Sequence, residues 1–239
     1  MLEKIEKLQL LTTGIIISLV ILIAVKMISS SISQNVITTT GSAYEIVKSD
    51  SGTINFEITA KAQTKQQAHK IIQNNLAEVK KYLNDKKITD IEVKASNGYY
   101  SYKRDYRGMD TNVVDYYNMS QPVTIRDNNV ELIKEISTDI TGLINQGIDI
   151  NVWDVSYQYS KLGDLKVSLL EKAATDAKNR AQSMLKPTGS SVGKVKSIRM
   201  GVYQITPVDS TNVSDGGIND TSSIDKKVTA VANVAFKIK

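Results

Sequence analysis

The sequence predicts an α+β protein, with mostly antiparallel sheets and three helices preceded by a single N-terminal transmembrane helix. Three observations carry that expectation. Short stretches of alternating apolar and polar residues come in pairs joined by brief turns. Three longer stretches repeat their apolar residues at helical spacing. The chain also opens on an apolar run that carries no charge from residue 8 to residue 25.

That opening run contains GIIISLVILIAV and holds 18 uncharged residues between Lys7 and Lys26. As a helix rising 1.5 Å per residue it spans roughly 27 Å, about one hydrocarbon core. It is longer than the apolar stretch of a cleaved signal peptide, and its front end, MLEKIEK, is less basic. Residues 1–28 are therefore expected to be an uncleaved anchor that meets the lipid bilayer through residues 8–25. Ser31 and Ser33 form a weak small-x-small site, so a secreted or periplasmic form cleaved near Ser33 is the alternative. Lys4 and Lys7 precede the run and only Lys26 follows closely. The positive-inside bias then keeps the N-terminus in the cytoplasm and puts the C-terminal domain outside, periplasmic or at the cell surface. Residues 29–41, SSSISQNVITTTG, are small and polar and read as a tether.

Residues 42–239 form the expected α+β domain. A strand over 43–48 turns through Asp50, Ser51 and Gly52 into TINFEITA, where Ile54, Phe56, Ile58 and Ala60 alternate with polar residues. Thr64 and Gln67 have capping-box spacing, and Ala68, Ile72, Leu76, Val79 and Leu83 form one helical stripe. ITDIEVKAS alternates as a strand, and a tyrosine-rich segment leads into QPVTIRD. Asn128 and Glu131 repeat the capping spacing before a helix carrying Ile133, Ile136, Ile140 and Leu143, which Gly147 closes. NVWDVSYQYS reads as a strand with Trp153, Val155, Tyr157 and Tyr159 on one face, expected to be the helix-covered one. A third helix runs from about Asp164 to Lys186, stops at Pro187 and Gly189, and aligns Ala173, Ala174, Ala177 and Ala181. GKVKSIRMGVYQI is a strand and residues 206–225 are a polar loop. The last strand alternates Val228, Ala230, Ala232, Val234, Phe236 and Ile238 without a break.

Composition excludes more than it assigns. The net charge of +5 is mild for a nucleic-acid binder, and no nucleic-acid partner is expected. There is no cysteine, which removes disulfides, thiolate metal sites and cysteine nucleophiles. GSSVG at 189–193 spells the hydrolase elbow, but a helix precedes it and a strand follows, and the only histidine, His69, comes far earlier in the chain. Asp209, Asp215 and Asp220 do not have EF-hand spacing. No Walker loop or dinucleotide fingerprint occurs, so no catalytic residue, metal or cofactor is assigned.

The segment YYSYKRDYRGMDTNVVDYYN, residues 99–118, concentrates six of the chain's 11 tyrosines. Arg107, Gly108 and Asp110 fit a turn between two tyrosine-bearing strands, and tyrosine favours strands and cross-strand pairs. Asp105, Asp110 and Asp115 offset Lys103, Arg104 and Arg107, against the needs of a nucleic-acid groove. The segment is read as a β-hairpin whose Tyr100, Tyr102, Tyr106, Tyr116 and Tyr117 offer a protein-contact surface. Adjacent tyrosines point to opposite faces, so a projecting ribbon leaves one of each pair uncovered.

Several stretches together carry a family resemblance. GSAYEIVKSDSGTINFEITAKAQTKQQAHKIIQNNLAEVKKYLNDKKI resembles the opening of the SIMPL-domain family. VVDYYNMSQPVTIRDNNVELIKEI resembles its central stretch, and LEKAATDAKNRAQSML with VGKVKSI its Ala-rich helix and following strand. TAVANVAFKI is similar to its closing strand. The resemblance implies a bacterial periplasmic or cell-surface protein, in some members linked to oxidative stress, and a homo-oligomer. It carries over no catalytic residue. The expected function is binding or homo-oligomeric assembly in the cell envelope, not catalysis; an envelope enzyme using unrecognised carboxylates is the alternative.

Overall fold

The computed structural model describes residues 2–32 and 35–239, with side chains described over 12–27 and from 35 onward. In chain order the elements are α1 (Leu2–Ile32), β1 (Val36–Lys48), β2 (Ser51–Ala62), α2 (Lys65–Asp85), β3 (Asp90–Val93), β4 (Asn97–Arg104) and β5 (Asp110–Asp127). Then come α3 (Val130–Asp139), a 3₁₀ segment (Ile140–Gln146), β6 (Asp149–Gln158), α4 (Leu162–Leu185), a 3₁₀ turn (Lys186–Thr188), β7 (Val192–Met200), β8 (Gln204–Pro207), β9 (Ile218–Asn219) and β10 (Asp225–Ile238). The chain divides into two units. One comprises residues 1–42, 171–201 and 231–239, and the other residues 43–170 and 202–230.

The larger unit is organised around β2. Its alternating residues put Ile54, Phe56 and Ile58 on one face, all fully buried. β2 pairs antiparallel with β5 on one side and β6 on the other, so Phe56 lies opposite Val123 and Val152. The buried stripe of α2 (Ala68, Ile72, Leu76, Val79 and Leu83) covers this face together with α3. Both helices start on side-chain caps. Thr64 Oγ1 accepts from the Gln67 amide at 3.2 Å, and Asn129 Oδ1 accepts from Leu132 at the same distance. The second cap is thus Asn129, one residue later than the capping-box spacing predicts. After α3 the helix tightens to 3₁₀ geometry and ends at Gly147, whose φ of 81° needs a residue without a Cβ. β8 pairs parallel with β9 and antiparallel with the start of β10.

In the smaller unit, β7 pairs antiparallel with the end of β10, where Ala232, Val234 and Phe236 are buried. Ala173, Ala177 and Ala181 of α4 are fully buried. They are small because the chain at Gly41 comes very close to them. A Cβ built on Gly41 would stand 2.1 Å from the Ala173 carbonyl oxygen. Thr39 Oγ1 donates to the Ala177 carbonyl at 2.7 Å, and the Ser42 amide donates to Asp176 Oδ2 at 2.9 Å.

Several expectations are corrected. Among the described residues there are four α-helices, not three with a spanning helix before them, and none is long and apolar enough to cross a membrane. The apolar run of α1, residues 14–25, holds 12 residues between Thr13 and Lys26, short of the roughly 20 that a spanning helix needs. A single-pass anchor over 1–28, bilayer contact through residues 8–25 and the location derived from them are therefore not supported. The alternative cleavage near Ser33 lies outside the described residues. Residues 36–41, assigned to the tether, are strand instead: the β-branched run VITTT favours extended backbone, and Thr39 and Gly41 turn inward. GKVKSIRMGVYQI is two strands, β7 and β8, interrupted at residues 201–203.

Trp153 corrects the phase assigned to β6. Asn55 faces Asp154 while the next residue, Phe56, faces Val152, so Trp153 is the extra residue of a β-bulge. The bulge reverses the alternation: Ile150 and Val152 point inward before it, Val155 and Tyr157 after it. Trp153 itself is 52% exposed. β6 ends the strand order β3-β5-β2-β6, and a bulge at such an edge discourages pairing with another chain.

Candidate functional site

Two features of the larger unit have the makings of a binding site. The first is the ribbon of β4 and β5. β2 follows β5 only as far as Tyr117, and β3 covers residues 123–126. From Tyr116 to the turn, β5 pairs with β4 alone. The turn is held by Asp105, whose Oδ1 accepts from the amides of Arg107 (2.8 Å) and Met109 (3.0 Å), and by Gly108 at a φ of 77°.

The ribbon brings three of the five expected contact residues together. Tyr100 lies opposite Tyr117, and its ring meets those of Tyr102 and Tyr117 edge-on, with centroids 5.2 and 6.3 Å apart. A hydrogen bond with Tyr100 raises the Tyr102 phenol above its ordinary value. Tyr116 points to the other face, with the Lys61 ammonium 5.4 Å from its ring centre. Tyr106 stands apart at the turn, 87% exposed, with the Arg107 guanidinium over its ring. Tyr99, not among the five, is 63% exposed and accepts from Asn118 Nδ2 at 2.7 Å. Exposed Met109 and Val113 extend the apolar surface.

The second feature is a cavity of about 180 Å³ between the ends of β6, β8 and β10 and the start of α4. Its walls include Val47, Leu162, Ile205 and Val228, and Lys226 and Asp220 supply the charges. Lys226 is only 4% exposed. Burial pushes its ammonium below its ordinary value, with the Asp220 carboxylate opposing. Burial pushes the Asp220 carboxyl up, but hydrogen bonds from Ser222 and Ser223 outweigh it and hold the group below its usual range. Neither residue was singled out as a pair from the sequence. The signal was present, because the alternation of the last strand, carried two residues back from Val228, puts Lys226 on the inward face. Residues 206–225 are accordingly more than a polar loop, for they contain β9 and Asp220.

The other candidates are not assembled into sites. His69 is exposed on α2, and Ser191 pairs through its backbone with Lys239 and is followed by the strand β7 where an elbow needs a helix. Among the described residues no group of three or more His, Asp or Glu is placed to hold a metal.

The profile of the SIMPL family, described as a protein of unknown function (DUF541), matches residues 37–236. The chain belongs to this family, and the match covers both units. No curated protein matches the sequence.

Proposed function

We propose that this SIMPL domain acts by binding and not by catalysis, and that the β4–β5 ribbon is the surface through which it assembles with further copies of itself. One observation carries the reading. The ribbon runs past the rest of its sheet with exposed tyrosines on both faces, and Tyr99, Tyr100 and Tyr106 are all more than half exposed. A two-stranded ribbon is marginal alone, and tyrosine offers large contact area with a hydroxyl that tolerates water. Residues 99–118 carry Lys103, Arg104 and Arg107 against Asp105, Asp110 and Asp115, so the ribbon has no net charge and meets its own copy without repulsion. The test is sedimentation equilibrium of the full chain and of a Tyr99→Ser/Tyr100→Ser/Tyr106→Ser variant. The wild type should sediment as a multiple of 26.3 kDa and the variant at a lower multiple. A monomeric wild type, or equal masses, defeats the reading.

A further inference from the structure

Strand β10 puts a lysine where its alternation otherwise puts apolar side chains. Lys226, Val228 and Ala230 share one inward face, and all three are buried. A buried ammonium needs its hydrogen-bonding capacity met, and this one is met only in part. Lys226 Nζ donates to the Asp220 carbonyl at 2.7 Å, but stands 3.8 Å from Asp220 Oδ2, beyond hydrogen-bond distance. A charge-assisted bond would close to about 2.8 Å. The two carboxylate oxygens are also unequal. Oδ1 accepts from Ser222 N, Ser222 Oγ and Ser223 N at 2.9, 2.7 and 3.3 Å. Oδ2 is buried and has no hydrogen-bond partner in the protein. The acceptor and the donor with capacity to spare thus belong to two residues that line one cavity.

We propose that this cavity binds a small neutral compound bearing a hydroxyl, of the bulk of a phenol. Its hydroxyl donates to Asp220 Oδ2 and accepts from Lys226 Nζ, and its apolar body lies against Val47, Leu162, Ile205 and Val228. Three features select this class. A hydroxyl donates and accepts at a single oxygen, as a gap between a carboxylate and an ammonium requires. The pair is neutral as a whole, so a charged ligand would bring an uncompensated charge into a partly enclosed site. The volume of about 180 Å³ suits one ring, since an apolar cavity of roughly 150 Å³ in another protein takes up benzene. The site does not depend on the tyrosine ribbon, and neither proposal stands or falls with the other.

The test is a titration of the full chain with phenol, toluene and benzoate, followed by the methyl NMR signals of Val47, Leu162, Ile205 and Val228. Phenol should shift these signals to saturation in the millimolar range. Toluene should bind at least about tenfold more weakly, the discrimination expected of a hydrogen bond to a charged group, and benzoate should not saturate. Asp220→Asn should reduce phenol affinity by a similar factor and leave toluene unchanged. If that variant does not fold, the three ligands on the wild type decide the matter alone. No saturable shift with phenol, or equal affinity for phenol and toluene, overturns the proposal and leaves the pair a structural element of the loop.

Discussion

Replacing Gly41 by alanine adds one methyl group at the tightest approach in the smaller unit. The new Cβ would stand 2.1 Å from the Ala173 carbonyl oxygen, 2.2 Å from the Ala177 nitrogen and 2.8 Å from the Ala177 Cα. All three are backbone atoms, so no side chain can rotate away. Ordinary contact distances are about 3.5 Å, and the strand must retreat from the helix by roughly 1 Å or more. Overpacking of this kind costs about 1–3 kcal/mol when the surroundings give, and more when they do not. Retreat also loosens the hydrogen bonds of Thr39 to Ala177 and of Ser42 to Asp176, each worth about 1 kcal/mol. The expected loss is about 3–5 kcal/mol, which for a domain of this size lowers the melting point by roughly 10 °C. Scanning calorimetry of the full chain measures it, with Gly142→Ala as control because a Cβ there meets nothing within 4 Å. A shift below about 2 °C for Gly41→Ala would show that the helix does not sit directly on the strand.

Other perturbations test other parts of the fold. Trp153, the only tryptophan, should be quenched by acrylamide in the folded protein almost as readily as in urea, since the bulge turns it outward; strong protection would restore the unbulged phase. Ile54→Ala, at a fully buried position facing Ile125 and Val155, should cost about 3–4 kcal/mol by urea unfolding, and a loss under 1 kcal/mol would place the core elsewhere. The Asp50 carboxyl is held below its ordinary 3.8 by its hydrogen bond from the Ser160 hydroxyl, and that of Asp176 chiefly by the Ser42 amide. Because these folded values lie below the unfolded ones, their stabilisation is present above about pH 4 and is lost as the pH falls through the folded values. Asp176→Asn should therefore flatten the acid limb of the stability curve, and an unchanged limb would refute its share.

What the sequence made legible was governed by local period. The stripe of α2 and the alternation of β2 are each set by one face against one core, and the structure buries the same residues; in β10 it buries Val228, Ala230, Ala232, Val234 and Phe236 and leaves Ile238 half-buried. The errors in the strands fall where long-range pairing overrides the period. A bulge is defined by the partner strand, so nothing in NVWDVSYQ announces that Trp153 will be the extra residue. The interruption at 201–203 is similar: the Gly201 amide bonds the Val231 carbonyl, a partner 30 residues away in the sequence. The tyrosine hairpin was readable because its turn chemistry is local to Asp105 and Gly108. The cavity was not readable, because its charges come from two segments and matter only through being enclosed together. Lys226 has the inward phase of β10, but a charged residue at the start of an apolar strand is ordinarily solvated.

The most direct test of ribbon-mediated assembly uses a photoreactive phenylalanine analogue placed at Tyr106, whose side chain is 87% exposed at the end of the ribbon. A second chain carries the analogue at His69, which is exposed on α2. On irradiation the Tyr106 chain should yield a covalent product of twice the 26.3 kDa chain mass, in an amount that falls on dilution, while the His69 chain yields little. No such product from Tyr106, or equal amounts from both positions, would contradict assembly through the ribbon.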